Sequence, residues 1–562
     1  MRICLQLYMK RLIWLIIILA AILRFYRLDV LPALNADEAA IGYNSYSLIK
    51  TGNDEHGNLW PVHFQSFNDY KPGLYFYLVL PFVAFFGLNE WAVRIPGAFL
   101  GVSTVFVVWL LVKELFPDRK WLPELSAFFL TISPWHIHFS RGGWEVNVAT
   151  FFITVGVWGF IKGVRDNRWF WLSSLAFVAS LYTYHTARIV VPLLILGFLF
   201  IFKKALFWDS KDAVFKFLKV GVPKHFFLSV VVGVLFLVPL VRGLLGPAGV
   251  SRVAGVGLFA DTGPFWLTNQ QRGEHEDFQG KFALLLHNKP INYGIAFLEN
   301  YAGHFWGEFL FLSGDEIQRN KVPEIGQMYL FDLLFLALGL IVIARSPKNW
   351  GVVILWIMVA PVAAALTFQS PHALRAENMV VPLTMISAYG GYWLWGKCRP
   401  SDRGKLGRLG KLCEILLVVW VLWDFSRYLH QYYFHMAKTY DYSSQYGMKE
   451  LVQYITHNNS ENRRVVVTNR YDQPYILFLF YLKYPPEQFQ KEHVLTPRDK
   501  FGFSTVEGFG NYTFREIGNW DEIRRDYPGA LIAGTEDEIP GGNILSTITF
   551  PSGRTVFKIV AN

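Results

Sequence analysis

The feature that most constrains this chain is a series of long apolar runs whose flanking Lys and Arg fall on alternate connections. A helix needs about 20 mainly apolar residues to cross hydrocarbon. Candidate spans lie at 12–23, 94–112, 122–139, 146–161, 169–184, 189–202, 226–244, 328–344, 350–368, 379–396 and 412–427. Arg2, Lys10 and Arg11 precede the first run, and Lys113, Arg119 and Lys120 follow the second. Lys162, Arg165 and Arg168 follow the fourth, and six lysines from Lys203 to Lys224 follow the sixth. Arg345 and Lys348 follow the eighth, and the cations from Lys397 to Lys411 follow the tenth. Positive charge on alternate connections marks the cytoplasmic side.

The fold class this predicts is an α-helical polytopic protein of the plasma membrane with about 11 transmembrane helices and a cytoplasmic N-terminus. The run at 74–88 is short for a crossing and reads as an interfacial or re-entrant helix. Leaving it out keeps the alternation in step. The large loops 25–93 and 245–327 then fall outside, together with everything from 428 onward.

Composition agrees with that reading and narrows it. Of 562 residues, 53% are hydrophobic and 17% charged, which excludes a disordered chain and an ordinary soluble enzyme. The net charge of +10 is a topology signal, so no nucleic-acid partner is inferred from it. Three cysteines, Cys4, Cys398 and Cys413, form neither a disulfide framework nor a metal-binding spacing. Two domains follow. Residues 1–427 make the membrane domain, and 428–562 make a small extracytoplasmic α/β domain. In the latter, 464–468 and 530–534 read as strands and 474–484 as an amphipathic helix. The stretch 544–560 reads as a strand pair turning at Pro551-Ser552-Gly553.

Ionisable groups gather on the outer side, at helix ends and short loops. Asp37-Glu38 follows the first span, and a plain structural role as helix-capping acids is open to it. Lys71 precedes Pro72 and a run of aromatics, and Arg94 sits at the mouth of the second span. Both positions also suit residues that anchor a helix at the headgroups. Arg141 and Glu145 lie in the turn after Ser133-Pro134. His185 with Arg188, and His372 with Arg375, are His-x-x-Arg pairs whose spacing puts both side chains on one helical face or one tight turn. Charges near bilayer depth are costly and tend to line a cavity or a substrate path. Several cations beside one acidic pair suggest an anionic substrate with a carboxylate base next to it.

The order of Asp37-Glu38, Lys71-Pro72, Ala92-Val93-Arg94-Ile95-Pro96, Ser133-Pro134, Ser140-Arg141 and Glu145, with a large outer loop before Met328, resembles the GT-C integral-membrane glycosyltransferases. Within these it is similar to the bacterial branch akin to protein O-mannosyltransferases and the lipid A aminoarabinose transferase. The resemblance covers roughly residues 10–400. It implies a GT-C fold and sugar transfer, with inversion, from a polyprenyl-phosphate donor to a glycan, lipid or protein acceptor outside the cell.

By position, the resemblance makes Asp37 the general base and Glu38 the residue that orients it or stabilises the site. It gives the donor phosphate to Lys71, Arg141, Arg188, His372 and Arg375. The sugar or acceptor falls to Tyr43, Arg94, Glu145 and His185. The sequence departs from the family at Lys71-Pro72-Gly73, where many relatives carry a second proline. It departs again at Glu145, which stands alone where oligosaccharyltransferases hold a cation with paired acids. A divalent cation stays open as a cofactor, with Glu145 toward sugar or metal, and no metal ligand set is assigned. A transporter or flippase of a polyprenyl-linked or other anionic solute is the second reading of the outer cations. Against it, the polar groups sit at helix ends and no internal repeat is visible. A non-catalytic scaffold is the third, and it leaves the acidic pair and the His-x-x-Arg pairs without a reason.

Overall fold

The computed structural model describes residues 2–67, 69–208, 213–217, 220–246, 249, 257–277, 279–398, 405–459, 461–497 and 504–562. The chain divides into two compact units. A helical unit takes Met1–Arg24, Leu100–Phe139 and Glu145–Tyr428. A sheet-bearing unit takes Phe25–Phe99, Ser140–Trp144 and Leu429–Asn562. The outer loop 25–93 therefore shares a unit with the residues that follow 428.

A helix lies over each of the eleven apolar intervals. Among the described residues, three of these helices, Glu90–Leu115, Glu145–Gly163 and Lys224–Leu244, are long and apolar enough to cross a membrane by length and composition. Others are shorter or broken. The helix Leu122–Ile132 stops at Ser133, which is extended (φ −53°, ψ 124°) because Pro134 disfavours the helical region for the residue before it. A new helix, Pro134–Ser140, then begins.

Within the helical unit, small residues let backbones close up. Gly156, Gly159 and Gly163 share one face of Glu145–Gly163, and β-carbons there would run into Phe177, Ser173 and Phe170 of the next helix, Phe170–Thr183. Gly339 of Leu330–Arg345 meets Ile386 of Val380–Cys398 in the same way, and Gly390 meets Phe335. Around that contact Phe129, Phe331 and Phe335 pack ring on ring at 5.6–5.9 Å. Close approach through small residues is how helices associate where lipid removes the hydrophobic drive.

The sheet-bearing unit is built on seven strands in the order β10-β11-β9-β5-β8-β7-β6. They are β5 Val465–Thr468, β6 Val494–Leu495, β7 Val506–Phe509, β8 Tyr512–Arg515, β9 Leu531–Gly534, β10 Asn543–Thr549 and β11 Thr555–Ala561. A hairpin of β1 His63–Ser66 and β2 Asp69–Pro72 lies apart from that sheet, as does β3 Ala213–Phe217 with β4 Val220–Pro223 in the helical unit.

Strand β5 runs parallel to both β8 and β9 and is buried on both faces, which its unbroken Val-Val-Val requires. On one face Val466, Ile532 and Val560 pack with Ile523 and Ile539. The helix Pro474–Leu482 differs from its sequence reading. It is buried from Pro474 through Phe480, so it has no polar face. Phe478 packs on Tyr512 and Phe514 of the sheet, while Phe480 touches Gly42 of the helix Ala36–Thr51. A helix closed in on all sides is apolar all round.

Candidate active site

The helix Ala36–Thr51 positions the acidic pair. Asn35 caps it: its Oδ1 accepts from Glu38 N at 3.0 Å, and Glu38 Oε2 accepts from Asn35 N at 3.2 Å. This reciprocal box fixes the first turn, and with it the direction of Asp37. Ala36 N is held as well, donating to Gln445 Oε1 at 2.7 Å.

The two acids then meet different surroundings. Glu38 is fully buried and bidentate to Arg94, with Nε at 2.6 Å from Oε1 and Nη2 at 2.7 Å from Oε2. Its Oε1 also accepts from Gly143 N at 2.8 Å. Gly143 has to lack a side chain here, since a β-carbon would stand 3.0 Å from Val93 and 3.2 Å from Glu38. Asp37 keeps 24% of its side chain exposed, and Lys71 Nζ lies 2.5 Å from its Oδ1.

Lys71 reaches that point because β2 pairs it with Phe64, and Phe64 is stacked flat on Phe76 with ring centroids 4.1 Å apart. Gly73 follows. Its N–H donates to Val62 O at 3.0 Å, and a β-carbon would come within 2.8 Å of that oxygen. A second proline would have neither the hydrogen nor the room, so the Lys-Pro-Gly departure belongs to this turn.

Two buried arginines build the segment leading into the pair. Arg94 also donates to Leu28 O, Pro32 O and Ala33 O at 2.8–3.1 Å. Arg141 donates to Tyr26 O at 2.7 Å and to Tyr432 Oη at 3.1 Å, and lies over the rings of Tyr432 and Tyr433. Both guanidiniums are wholly buried. Tyr43 is buried too, its hydroxyl donating to Tyr484 O at 3.1 Å, and burial pushes its ionisation far up.

The remaining candidates belong to the helical unit. Arg188 Nη1, from the first turn of Ala187–Ile201, and His185 Nδ1, from the turn before that helix, are 3.0 Å apart, so this His-x-x-Arg pair is a direct contact. Arg375 Nη1 donates to Thr367 Oγ1 at 2.6 Å, while His372 Nδ1 lies 3.7 Å from Asp315 Oδ2. Glu145 is buried at the start of Glu145–Gly163.

Sequence reasoning missed the groups that shape the His372 turn. Asp315 Oδ2 accepts from Ala373 N at 2.6 Å, and His304 Nε2 accepts from His372 N at 3.2 Å. Burial holds the His304 pKa to about 4, so the ring is neutral and can accept. Burial raises Asp315 despite its three hydrogen bonds. Neither residue belongs to a local motif. Their only signal was a place in the outer loop 245–327. Among the described residues no group of three or more His, Cys, Asp or Glu is arranged to hold a metal ion.

Over almost its full length the chain superposes on the crystal structure of ArnT from Cupriavidus metallidurans bound to undecaprenyl phosphate. The TM-score is 0.53 at 13% identity, covering 97% of each chain. It also matches the Archaeoglobus fulgidus oligosaccharyltransferase tethered to an acceptor peptide containing the NVT sequon. There the TM-score is 0.50 at 11% identity, covering 84% of this chain and 63% of that one. The fold is GT-C. This makes the chain a multi-pass membrane protein, mostly helical with a sheet region toward the C-terminus.

Within the GT-C proteins, residues 70–213 match the family described as dolichyl-phosphate-mannose-protein mannosyltransferase. A putative mannosyltransferase, YkcB of Bacillus subtilis (strain 168), is 27% identical over 95 residues. That match takes in 17% of this chain and 13% of the relative's length. Residues 70–213 are thus similar to the protein mannosyltransferase family, and the chain as a whole shares the fold of ArnT.

Proposed function

We propose that this GT-C protein is a glycosyltransferase that moves a sugar, with inversion, from a polyprenyl-phosphate-linked donor to an acceptor on the extracytoplasmic face. The observation that carries the reading is the division of labour in the acidic pair. Glu38 is locked between Arg94 and Gly143, while its neighbour Asp37 stays accessible with the Lys71 ammonium against one oxygen. A rigidly held carboxylate at a helix start, open to solvent and beside a cation, suits a general base working against a phosphate leaving group. The mannosyltransferase family match and the undecaprenyl phosphate in the ArnT structure support the donor class.

In the proposed reaction Asp37 takes the proton from an acceptor hydroxyl as its oxygen attacks the anomeric carbon. The bond from that carbon to the phosphate oxygen breaks, and its electron pair leaves on the polyprenyl phosphate. Lys71 meets the charge growing on that group.

Glu38, Arg94, Arg141 and Tyr43 take positioning parts, because their polar atoms are committed to backbone carbonyls, Gly143 and neighbouring side chains. Asp37→Asn preserves shape and the cap, and abolishes transfer from a polyprenyl-phosphate sugar with the protein still folded. Near-normal product by mass spectrometry in that variant would overturn the assignment. Uptake of the lipid-linked sugar into liposomes lacking any acceptor would favour the flippase reading instead.

A further inference from the structure

Within the loop 245–327 three neighbouring helices turn polar groups inward and apolar groups outward. Along Lys289–Gly303, Ile291, Ile295, Leu298 and Ala302 are exposed, a spacing of i, i+4, i+7 and i+11 that lays them on one face. Asn292 of the same helix is buried, and its Nδ2 donates to Thr268 Oγ1 at 2.8 Å and to Gln271 Oε1 at 3.0 Å. Thr268, on the helix Gly263–Gly273, is buried too, while Trp266 and Leu267 beside it are exposed. Arg272 Nε donates to His287 O at 2.6 Å, which ties Gly263–Gly273 to the end of Lys281–Leu286. In that short helix Ala283 is the buried residue, and Phe282 and Leu285 are 78% and 68% exposed.

A helix facing water buries its apolar stripe and wets its polar face. Here the order is reversed. Large apolar side chains exposed on three adjoining helices mark a contact with lipid or with protein.

What meets this face follows from where the last helix is fastened. Tyr301 Oη donates to Met358 O at 2.8 Å, and Asn300 Nδ2 donates to Thr367 O at 3.0 Å. Leu258 N donates to Leu366 O at 2.8 Å. All three acceptors belong to the apolar run 350–368, whose helical part is Gly351–Ala365. Met358 is seven residues short of Ala365, about 10 Å along a helix. The end of Lys289–Gly303 is therefore held alongside the second half of a candidate span. Met358, Leu366 and Phe368 are themselves exposed apolar residues, so the face of that span continues onto the loop helices. The alternation of Lys and Arg puts this half of the run in the outer leaflet.

We propose that Gly263–Gly273, Lys281–Leu286 and Lys289–Gly303 form a lipid-facing surface seated in the outer leaflet, with Ile291, Ile295 and Leu298 toward the acyl chains. The partner is the bilayer itself. Trp266 and Trp306, both exposed, suit the headgroup boundary. An amphipathic helix lying in that plane sinks its apolar face by about 5–10 Å. This part of the loop then belongs to the surface layer of the membrane and not to the water beyond it, whatever reaction the protein performs.

Spin labels test the seating directly. The full chain carrying Cys4→Ser, Cys398→Ser and Cys413→Ser receives one new cysteine at a time, Ile295→Cys or Leu298→Cys, and is labelled in phosphatidylcholine nanodiscs. Leu235→Cys, exposed on the apolar helix Lys224–Leu244, is the lipid reference, and Asp537→Cys, exposed near the sheet, is the water reference. All four positions are exposed, so the label displaces no packed side chain. Collision with oxygen, which concentrates in lipid, is compared with collision with a water-soluble nickel chelate. The oxygen-to-nickel ratio at both loop sites is expected to exceed the water reference by about tenfold and to approach the lipid reference. A ratio equal to the water reference would overturn the proposal by placing the face in solvent. Shielding from both reagents would overturn it as well, because protein and not lipid would then cover the face.

Discussion

Gly390 in the helical unit and Arg94 in the sheet-bearing unit both solve the problem of fixing two backbone segments against each other, by opposite means. At Gly390 the missing side chain lets a helix lie against the Phe335 carbonyl. At Arg94 a long cation reaches back to three carbonyls and the Glu38 carboxylate. The first device suits helices packed through many small van der Waals contacts, where one β-carbon spoils the fit. The second suits an irregular segment, 26–35, that has no ladder of its own and whose carbonyls need donors. The acidic pair sits at the end of the segment held by arginine, so site geometry is coupled to buried charge in that unit.

The largest effect should come from breaking that charge. Arg94→Leu leaves Glu38 buried without its partner and should cost about 3–5 kcal/mol, read as lost thermal stability of the purified protein. Removing both, as Arg94→Leu with Glu38→Leu, should recover much of that loss while still impairing transfer. A double variant as unstable as the single one would mean that the carbonyl contacts, and not the ion pair, carry the stability.

Gly390→Ala comes next, at about 1–3 kcal/mol from overpacking. Helix propensity alone favours alanine there by about 1 kcal/mol. A stabilised variant would therefore show that the helices do not approach as closely as described.

Acidification should act on both units to a similar extent. His56 in one and His304 in the other are held neutral to about 4, against an ordinary 6.5. The unfolded chain takes up a proton first, so the stability each contributes is present above about 6.5 and lost as the pH falls toward 4. At pH 5 the loss is on the order of 1–2 kcal/mol per histidine. His304→Gln and His56→Gln should each flatten the melting temperature between pH 7 and 5, and an unchanged slope would show the ring already charged.

The smallest effect belongs to an exposed pair in the sheet-bearing unit. Lys449 Nζ stands 2.6 Å from Glu90 Oε1, but the lysine is 45% exposed. Lys449→Ala should move stability by about 0.5 kcal/mol or less, and that little should fade with added salt.

Much of the fold was legible because its determinants are local. Apolar run length and the alternation of Lys and Arg located helices over all eleven intervals, and Val465-Val466-Val467 announced a strand. A helix start at the acidic pair was legible for the same reason, and the structure gives the cap to Asn35, three residues from its donor Glu38. His185 and Arg188 sit close in sequence and meet in space, whereas His372 and Arg375, at the same spacing, lie against Asp315 and Thr367. No spacing rule reports those two neighbours. The helix Pro474–Leu482 was misread as amphipathic because its partners, the sheet and the helix Ala36–Thr51, are supplied from far along the chain.

The sequence by itself determined a helical membrane chain with a sheet-forming C-terminal region, and an acidic pair at the start of a capped helix. Hydropathy, capping and β-propensity are properties of a dozen residues at a time, so a linear reading captures them. Which acid of the pair stays accessible was decided by the tertiary structure. Asp37 and Glu38 are adjacent and chemically alike. Glu38 is closed off by Arg94, 56 residues away, and by Gly143, 105 residues away. Burial depends on everything that packs around a group, and only the folded chain brings those parts together.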